Sequence, residues 1–211
     1  CRTVEILYDC SYDDAVAGYK NKDPDWVMKR NMGKPVRHGF NYCLGENQLH
    51  QLFAVQNLDI SAKECRKMLQ AMASSVPAVR RWHHEIEDTL KRTRTIINPL
   101  GLRRIFRGVL DNDTVREAIA FGPQSTVGQM LNFALERIYH IPGLMELFDF
   151  LLQIHDAVLG QSRIERVRED TEIVGQLMEI PLLIKGRELL IPSDLEVGPN
   201  WGSLSRPDWL K

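Results

Sequence analysis

The length, composition and charge of the chain indicate a globular protein with a sizeable core. Its 211 residues are 44% hydrophobic, which is enough for one large domain or two small ones. The formal net charge of −1 argues against a uniformly basic nucleic-acid binder. No apolar run approaches the roughly 20 residues that span a bilayer, and the N-terminus lacks the order of a signal peptide, so we expect no membrane association.

The first residue and the cysteines suggest an origin and a compartment. The chain starts at Cys1 rather than at a methionine, so we expect a fragment or a processed product. The four cysteines show neither CxxC spacing nor a neighbouring histidine pattern of a zinc site. Reduced thiols in a cytoplasmic protein are the simplest interpretation.

The first candidate site is a ladder of four residues near the N-terminus. Arg30, Lys34, His38 and Tyr42 are each four residues apart, so on a helix they form a stripe about 18 Å long. Two cations followed by two rings suit a triphosphate and then a stacked base. The alternative is a basic surface helix with Tyr42 packed at its end. Pro35 complicates both interpretations, since proline disrupts a helix interior.

Two helices are predicted between residues 61 and 90. Ser61 and Glu64 form a capping box that opens the first helix, and Ser75 and Pro77 suit the start of the second. The apolar positions recur at Cys65, Met68, Leu69 and Met72 in the first helix and at Val79, Trp82, Ile86 and Leu90 in the second. A turn at residues 98–101 closes the region.

A basic stretch overlaps the second of these helices and runs beyond it. Residues 80–107 contain eight basic side chains against three acidic ones, a local net charge of +5. Such a strip is compatible with tracking a phosphate backbone, and equally with a solvated helix face. Arg103 and Arg104 follow a glycine-containing turn, where phosphate contacts are common, although paired arginines in a loop are also ordinary surface residues.

The next helix is predicted to begin near Thr114, with Asp113 as its cap. Arg116, Ala120 and Gln124 follow at four-residue spacing. They give a second and weaker ladder, with polar groups only at its ends.

Two apolar runs meet at a His-Asp pair between residues 150 and 159. The pattern predicts a hairpin of two buried strands with His155 and Asp156 at its tip. Because a lone carboxylate is rarely placed between hydrophobic segments without a reason, Asp156 is a candidate metal ligand. An ordinary hairpin turn is the alternative.

The C-terminal part is predicted to contain both helix and strand. Ser162 and Glu165 suggest another capping box, opening a helix with apolar positions at Ile164, Val167, Val174 and Leu177. Short strands are expected at residues 182–184 and 188–191. Helices followed by a small sheet with packed helices predict an α+β fold.

Five segments, in this order, resemble the motifs of family A DNA polymerases, and most closely a phage-type branch. Residues 30–42 look like the fingers-helix motif R-x-x-x-K-x-x-x-[F/Y/H]-G-x-x-Y, and residues 101–106 like G-R-R-x-x-F. Residues 116–126 resemble R-x-A-I-N-x-P-x-Q-G-T, residues 150–158 the catalytic V-H-D-E hairpin, and residues 197–201 the closing G-x-N-W. Ordered motifs over nearly the whole chain are far more specific than any one of them.

The resemblance implies template-directed DNA synthesis, in which a primer 3′-hydroxyl attacks the α-phosphate of a deoxynucleoside triphosphate with the help of two Mg²⁺ ions. It puts Arg30 and Lys34 on the triphosphate, with Lys34 among the catalytic residues. His38 and Tyr42 would lie near the sugar, the base and the template. Asp156 would be catalytic as a magnesium ligand.

The resemblance also implies contacts with primer-template DNA. The DNA-binding residues would be Arg103, Arg104, Arg116, Gln124 and His155, the last three along the minor groove, where contacts test pair geometry without reading sequence. The expected partners are therefore primer-template DNA and deoxynucleoside triphosphates. We expect a monomer in the cytoplasm, that of the host cell if the protein is phage-encoded.

The chain departs from the family pattern in several places. The first metal-binding motif, D-x-S-Q-x-E-L-R, would end at Cys1 and Arg2, so we expect its Asp and Glu just before the first residue present. With one of the two metal-bridging carboxylates, these 211 residues alone are expected not to polymerise DNA. Ala157 stands where the family usually has Glu, Ala120 where it has Asn, and Cys43 where it has Gly. The segment ahead of the fingers helix lacks the family's D-I-H, which predicts a weakened grip on the nucleotide.

The expected organisation is a tail of the first palm motif in residues 1–12, a helical fingers subdomain in 13–94 and a palm subdomain in 95–211. Two other functions stay open. A non-catalytic DNA-binding remnant would bind duplex DNA with an affinity that falls with salt and ignores magnesium. A helical interaction protein with accidental motif matches would bind no DNA.

Overall fold

The computed structural model describes residues 1–144 and 148–210. Helices dominate these ranges, and the strands within them form three two-stranded sheets. The expected α+β class is confirmed. The chain divides into two compact units: the first unit comprises Cys1–Ile96 and Ile105–Ala120, and the second unit comprises Ile97–Arg104 and Phe121–Lys211.

Six helices occupy the described N-terminal part of the chain, before the first strand. They are α1 (Arg2–Tyr8), α2 (Tyr12–Lys20), α3 (Pro24–Asn41), α4 (Glu46–Val55), α5 (Ala62–Ser75) and α6 (Pro77–Thr93). The predicted capping box opens α5, where Ser61 Oγ accepts from the Glu64 backbone N–H and the Glu64 carboxylate accepts from that of Ser61. Pro77 is the first residue of α6, as predicted, and the preceding Val76 is its N-cap.

The core of the first unit lies among α3, α4 and α5. It is formed by the buried side chains of Val36, Phe40, Leu49, Phe53, Ile60, Cys65, Leu69 and Met72. The apolar face predicted for α5 therefore contributes three of its four residues to the core, and Met68 packs against it partly buried. This burial fixes which side of α3 faces outward.

The remaining elements follow in chain order. They are β1 (Thr95–Ile97), β2 (Arg103–Ile105), α7 (Asn112–His140), β3 (Phe148–Ile154), β4 (Ala157–Ser162), α8 (Val167–Met178), β5 (Leu182–Ile184), β6 (Arg187–Leu189) and two short 3₁₀ turns (Trp201–Ser203 and Asp208–Leu210). β3 pairs with β4, and β5 with β6, both antiparallel. The core of the second unit includes Ile138, Leu144, Phe148 and Val174.

Two predicted helix starts were wrong. α7 begins at Asn112, and its N-terminus is capped by Asp111, whose Oδ1 accepts from the Thr114 backbone N–H at 2.8 Å. Asp113 lies inside the first turn, where it forms an ion pair with Arg116 instead.

The second wrong start is that of α8. Ser162 is the last residue of β4, and α8 begins at Val167 without a side-chain cap. The hydroxyl of Ser162 donates to Asp170, eight residues along the chain, and lies 3.3 Å from the Arg163 carbonyl, so it caps no helix start. Ile164 is 88% exposed, so it does not belong to the helix's apolar face.

Within residues 1–144 and 148–210, no helix combines the length and the apolar character needed to cross a bilayer.

Candidate functional site

Helix α3 carries the predicted ladder on the face opposite the core. Asp23 caps its N-terminus by accepting from the Asp25 and Trp26 backbone N–H groups, and Pro24 occupies the first turn, where no N–H is needed. The inward face buries Gly33, Val36, Gly39 and Phe40. The helix continues through Pro35 as far as Asn41.

An open cleft of about 400 Å³ lies along this helix. From α3 it is lined by Arg30, Gly33, Lys34, Arg37, His38 and Asn41, and from the start of the chain by residues 1, 3 and 4. A Cβ atom at Gly33 would lie 3.5 Å from Thr3 Cγ2, so α1 passes close over α3 at this point and forms one wall. We call this feature the cation cleft, because basic side chains line it and no carboxylate of the described residues does.

The ladder residues differ in how they are held. The guanidinium of Arg30 lies 4.1 Å from the ring centroid of Tyr19, a cation–π contact that supports it from α2. Lys34 is exposed, and among the described residues its ammonium group has no ion-pair partner. The rings of His38 and Tyr42 lie 4.7 Å apart with a tilt of 56°. Three of the four predicted residues therefore line one cleft, and Tyr42 packs beside it.

The C-terminal end of α3 is held by His83 of α6. The His83 Nε2–H donates to the Asn41 carbonyl at 2.9 Å, which leaves Nδ1 to accept from the Cys43 thiol at 3.2 Å. Burial lowers the pKa of His83 and raises that of Cys43, so both groups are held in their neutral forms. Sequence reasoning missed this contact because about forty residues separate the partners.

Glycine is favoured at two positions near the C-terminal end of the ladder. Cys43 has a φ of 57°, in the left-handed region, at the position where the family pattern has glycine. A Cβ atom at Gly39 would lie 2.9 Å from Leu44 Cδ2, so the chain folds back tightly against the helix end. These features set the position of Tyr42 at the C-cap.

The His-Asp pair forms the two-residue loop of a hairpin. The register pairs Ile154 with Ala157, which leaves His155 and Asp156 at the tip, as predicted. His155 has a φ of 54°, and both tip side chains are exposed. The expectation that both strands are buried was wrong, since Leu151 and Leu152 are 51% and 44% exposed. The two leucines are adjacent, and the pairing with β4 skips Leu151 between Phe150 and Leu152. This bulge interrupts the regular alternation of the strand, and both leucine side chains lie outside the core of the second unit.

Asp156 is the one predicted metal ligand. Its carboxylate has no hydrogen-bond or ion-pair partner within the described residues. An exposed carboxylate with free oxygens fits a hard cation such as Mg²⁺. In residues 1–144 and 148–210, however, no three Asp, Glu, His or Cys side chains come together as a ready metal site. Asp156 therefore offers one ligand and not a complete cage.

The base of the hairpin is packed more tightly than its tip. Asp170 is fully buried, accepts from the hydroxyl of Ser162 and receives the Arg166 guanidinium at 3.1 Å. A Cβ atom at Gly160 would lie 1.9 Å from the Phe148 ring, which lies across it. Sequence reasoning missed Asp170 because a carboxylate on a helix usually faces solvent.

The predicted DNA-binding residues lie on β2 and α7. Arg103 is exposed on β2, while Arg104 is half-buried with its guanidinium 6.0 Å from the Phe121 ring centroid. Arg116 lies 3.3 Å from Asp113, and Gln124 is exposed two turns further along the same helix. Their roles, like those of the other site residues, stay predictions.

Comparison with known proteins identifies the class of protein. The model of DNA polymerase family A matches residues 16–203. The chain therefore belongs to DNA polymerase family A, as its ordered motifs predicted.

Three relatives illustrate the similarity. The chain is 30% identical over 192 residues to the thermostable DNA polymerase I of Thermus filiformis, covering 86% of this chain and 20% of that protein. It is 27% identical over 182 residues to the DNA polymerase of Mycobacterium phage D29, covering 86% and 27%. The solved POL domain of Pol1 from M. smegmatis, in complex with DNA primer-template and dNTP, superposes with a TM-score of 0.69 at 18% identity, over 85% of this chain and 31% of that one.

These matches differ in what they establish. The chain spans only about a fifth to a quarter of the length of the curated relatives. The phage match is in keeping with the predicted phage-type branch. The superposition bears on the fold alone.

Proposed function

We propose that this chain is the nucleotide-binding and metal-binding part of a template-directed DNA polymerase. The observation that carries the proposal is the cation cleft, in which Arg30, Lys34 and His38 line one groove, with no carboxylate from the described part of the chain among its lining residues. Such a groove favours a polyanion, and membership of DNA polymerase family A makes a deoxynucleoside triphosphate the natural occupant.

The residues at the cleft would bind different parts of the nucleotide according to their chemistry. Arg30 and Lys34 bind the phosphates, Arg30 in a fixed orientation because it rests on the Tyr19 ring, and Lys34 as a mobile point charge that also supports the reaction. His38 and Tyr42 stack near the sugar and base. The neutral His83 contact holds the end of α3, so it helps to keep these rings in place.

Asp156 is proposed as a magnesium ligand. Bound Mg²⁺ would supply the Lewis-acid stabilisation of the charge that develops on the primer oxygen and the leaving pyrophosphate. Asp156 is free in the described part of the chain to contribute one carboxylate, whereas a metal pair needs at least two. We therefore propose that these 211 residues by themselves do not extend a primer.

The DNA contacts are proposed on the remaining predicted residues. Arg103 and Arg104 would contact the backbone, and Arg116, Gln124 and His155 the minor groove. The polymerase would act as a monomer in the cytoplasm, on primer-template DNA and deoxynucleoside triphosphates. Residues 1–12 are proposed as the tail of the first palm motif, 13–94 as the fingers and 95–211 as the palm.

Nucleotide binding tests the proposal directly. We expect the chain to bind a fluorescent deoxynucleoside triphosphate, and Lys34→Ala to weaken binding about tenfold, because one charge-assisted contact is lost. Lys67→Ala is the matched control, since it removes the same charge from the exposed side of α5. Equal affinities of the Lys34→Ala variant and the wild type would contradict the proposed site.

DNA binding separates the polymerase from the non-catalytic remnant. If Asp156 contributes to a metal site, Mg²⁺ should strengthen the binding of primer-template and nucleotide together, and Asp156→Asn should remove that gain. A remnant would bind duplex DNA equally well with or without Mg²⁺, and equally well with Asp156 or with Asn at that position.

Primer extension by these 211 residues above a no-protein control would refute the proposed inactivity.

A further inference from the structure

The cation cleft contains one basic residue that the four-residue ladder passes over. Arg37 lines the cleft beside Arg30, Lys34 and His38. Seven residues make nearly two helical turns, so Arg37 lies within about 20° of Arg30 around the axis of α3. His38, eight residues from Arg30, lies about 80° away. Arg37 is thus more closely in line with Arg30 along the helix than His38 is, although His38 belongs to the ladder and Arg37 does not.

The surroundings of Arg37 leave its guanidinium free. The side chain is half-buried, and within the described residues it has neither an ion pair nor a hydrogen bond. Arg66 and Arg166, by contrast, each lie within 3.2 Å of a carboxylate. An arginine with a packed stem and no carboxylate partner keeps all its donors for an external anion.

The clustering of positive charge on α3 also favours an external anion as the partner of Arg37. Arg30, Lys34 and Arg37 place three cations along about 10 Å of helix. Like charges at spacings of three and four residues repel and destabilise a helix. Within residues 1–144 and 148–210, no carboxylate lines the cleft to relieve this repulsion. A bound polyanion would relieve it, which makes the row of cations understandable as a binding surface.

We propose that Arg37 is a third phosphate-binding residue, which contacts the same triphosphate as Arg30 and Lys34. The inference rests on the proposed function, because it takes a deoxynucleoside triphosphate as the occupant of the cleft. The planar guanidinium of Arg37 contacts two phosphate oxygens at once, which the ammonium of Lys34 does not. Arg37 therefore adds orientation as well as charge.

A displacement experiment tests this assignment. A labelled deoxynucleoside triphosphate is bound to the wild type and to the Arg37→Ala, Arg37→Lys and Lys67→Ala variants, and is displaced with the unlabelled nucleotide or with inorganic tripolyphosphate. Arg37→Ala should weaken both competitors about tenfold, and to a similar extent, because the lost contact is to phosphate. Arg37→Lys should recover part of the loss, and Lys67→Ala should match the wild type.

Three results would overturn the inference in distinguishable ways. If Arg37→Ala binds both competitors as the wild type does while Lys34→Ala weakens them, Arg37 has no role and the proposed function stands. If Arg37→Ala weakens the binding of the nucleotide but not that of tripolyphosphate, Arg37 contacts the sugar or the base rather than the phosphates. If the wild type binds neither competitor, the proposed nucleotide site fails together with the inference.

Two further arms complete the test. A single-stranded oligothymidylate is titrated in parallel, and a loss confined to it would assign Arg37 to a DNA strand and overturn the proposal. Arg37→Gln keeps the packed stem of the side chain, so it replaces Arg37→Ala if far-ultraviolet circular dichroism shows that the alanine variant loses helix. The same tenfold weakening is expected of it.

Discussion

Helix α3 and the β3–β4 hairpin present their candidate residues in contrasting ways. The cations of α3 lie directly behind a buried face, with Val36 fully buried and Phe40 4% exposed. The carboxylate of Asp156 lies at the tip of strands whose Leu151 and Leu152 are about half exposed. Packing within the first unit therefore holds the cation cleft in place, whereas the contacts that the described residues make with the hairpin lie at its base. Local stability should follow this difference.

The largest expected effect tests the packing of α3. Phe40→Ala removes a buried ring from the core of the first unit and should lower the free energy of unfolding by about 3–5 kcal/mol. Leu152→Ala is the comparison in the hairpin, where a half-exposed side chain should cost about 1 kcal/mol or less. Urea unfolding followed by circular dichroism gives both values. Equal losses would show that the two regions are packed alike.

A somewhat smaller effect should distinguish the base of the hairpin from its tip. Asp170→Ala removes the buried acceptor of the Ser162 hydroxyl and of one Arg166 nitrogen, while Arg166 keeps its ion pair with Glu169, and the change should cost about 2 kcal/mol. Asp156→Ala, at the exposed tip, should stay within about 0.5 kcal/mol of the wild type. Asp170→Asn retains an acceptor and should fall between them. If Asp156→Ala were as destabilised as Asp170→Ala, the base of the hairpin would not be the part that stabilises it.

The smallest effect is a pH dependence at the end of α3. The pKa of His83 is lowered by burial, and further by the nearby charges of Arg80 and His84, against the raising effect of its bond to the Asn41 carbonyl. In the unfolded chain the His83 ring is protonated as the pH falls through its ordinary pKa of about 6.5, whereas in the folded chain its lowered pKa keeps it neutral to a lower pH. The free energy of unfolding therefore decreases as the pH drops below about 6.5.

His83→Gln isolates this contribution. Urea midpoints of the wild type and the variant are compared at a pH above and a pH below the ordinary value for histidine. The wild type should lose more stability than the variant on acidification. Parallel losses in both proteins would mean that His83 is not the group responsible.

The sequence predicted those features that local pattern controls. The capping box at Ser61, the proline start of α6 and the His155-Asp156 loop each depend on residues within a few positions of one another. The family was also identified correctly, because its motifs keep their order along the chain.

The features that sequence reasoning missed depend on tertiary contacts. His83 meets Asn41 and Cys43 across some forty residues, and no spacing rule connects them. The charge of Arg37 is visible in the sequence, but its place in one cleft with Arg30 and Lys34 depends on α1 forming the second wall, which no spacing rule shows. The exposure of the strand was misjudged because apolar composition shows neither the bulge at Leu151 nor which face of a two-stranded sheet is covered.

The backbone of His155 limits which residues the hairpin tip can accept. At a φ of 54°, glycine, asparagine and aspartate are tolerated, while the branched side chains of valine and isoleucine meet the backbone. A library randomised at this position and sorted only for folded protein should return the first group and lose the second. If the same library were sorted for DNA binding and histidine alone survived, the imidazole ring, and not the backbone conformation, would determine which residue is accepted at position 155.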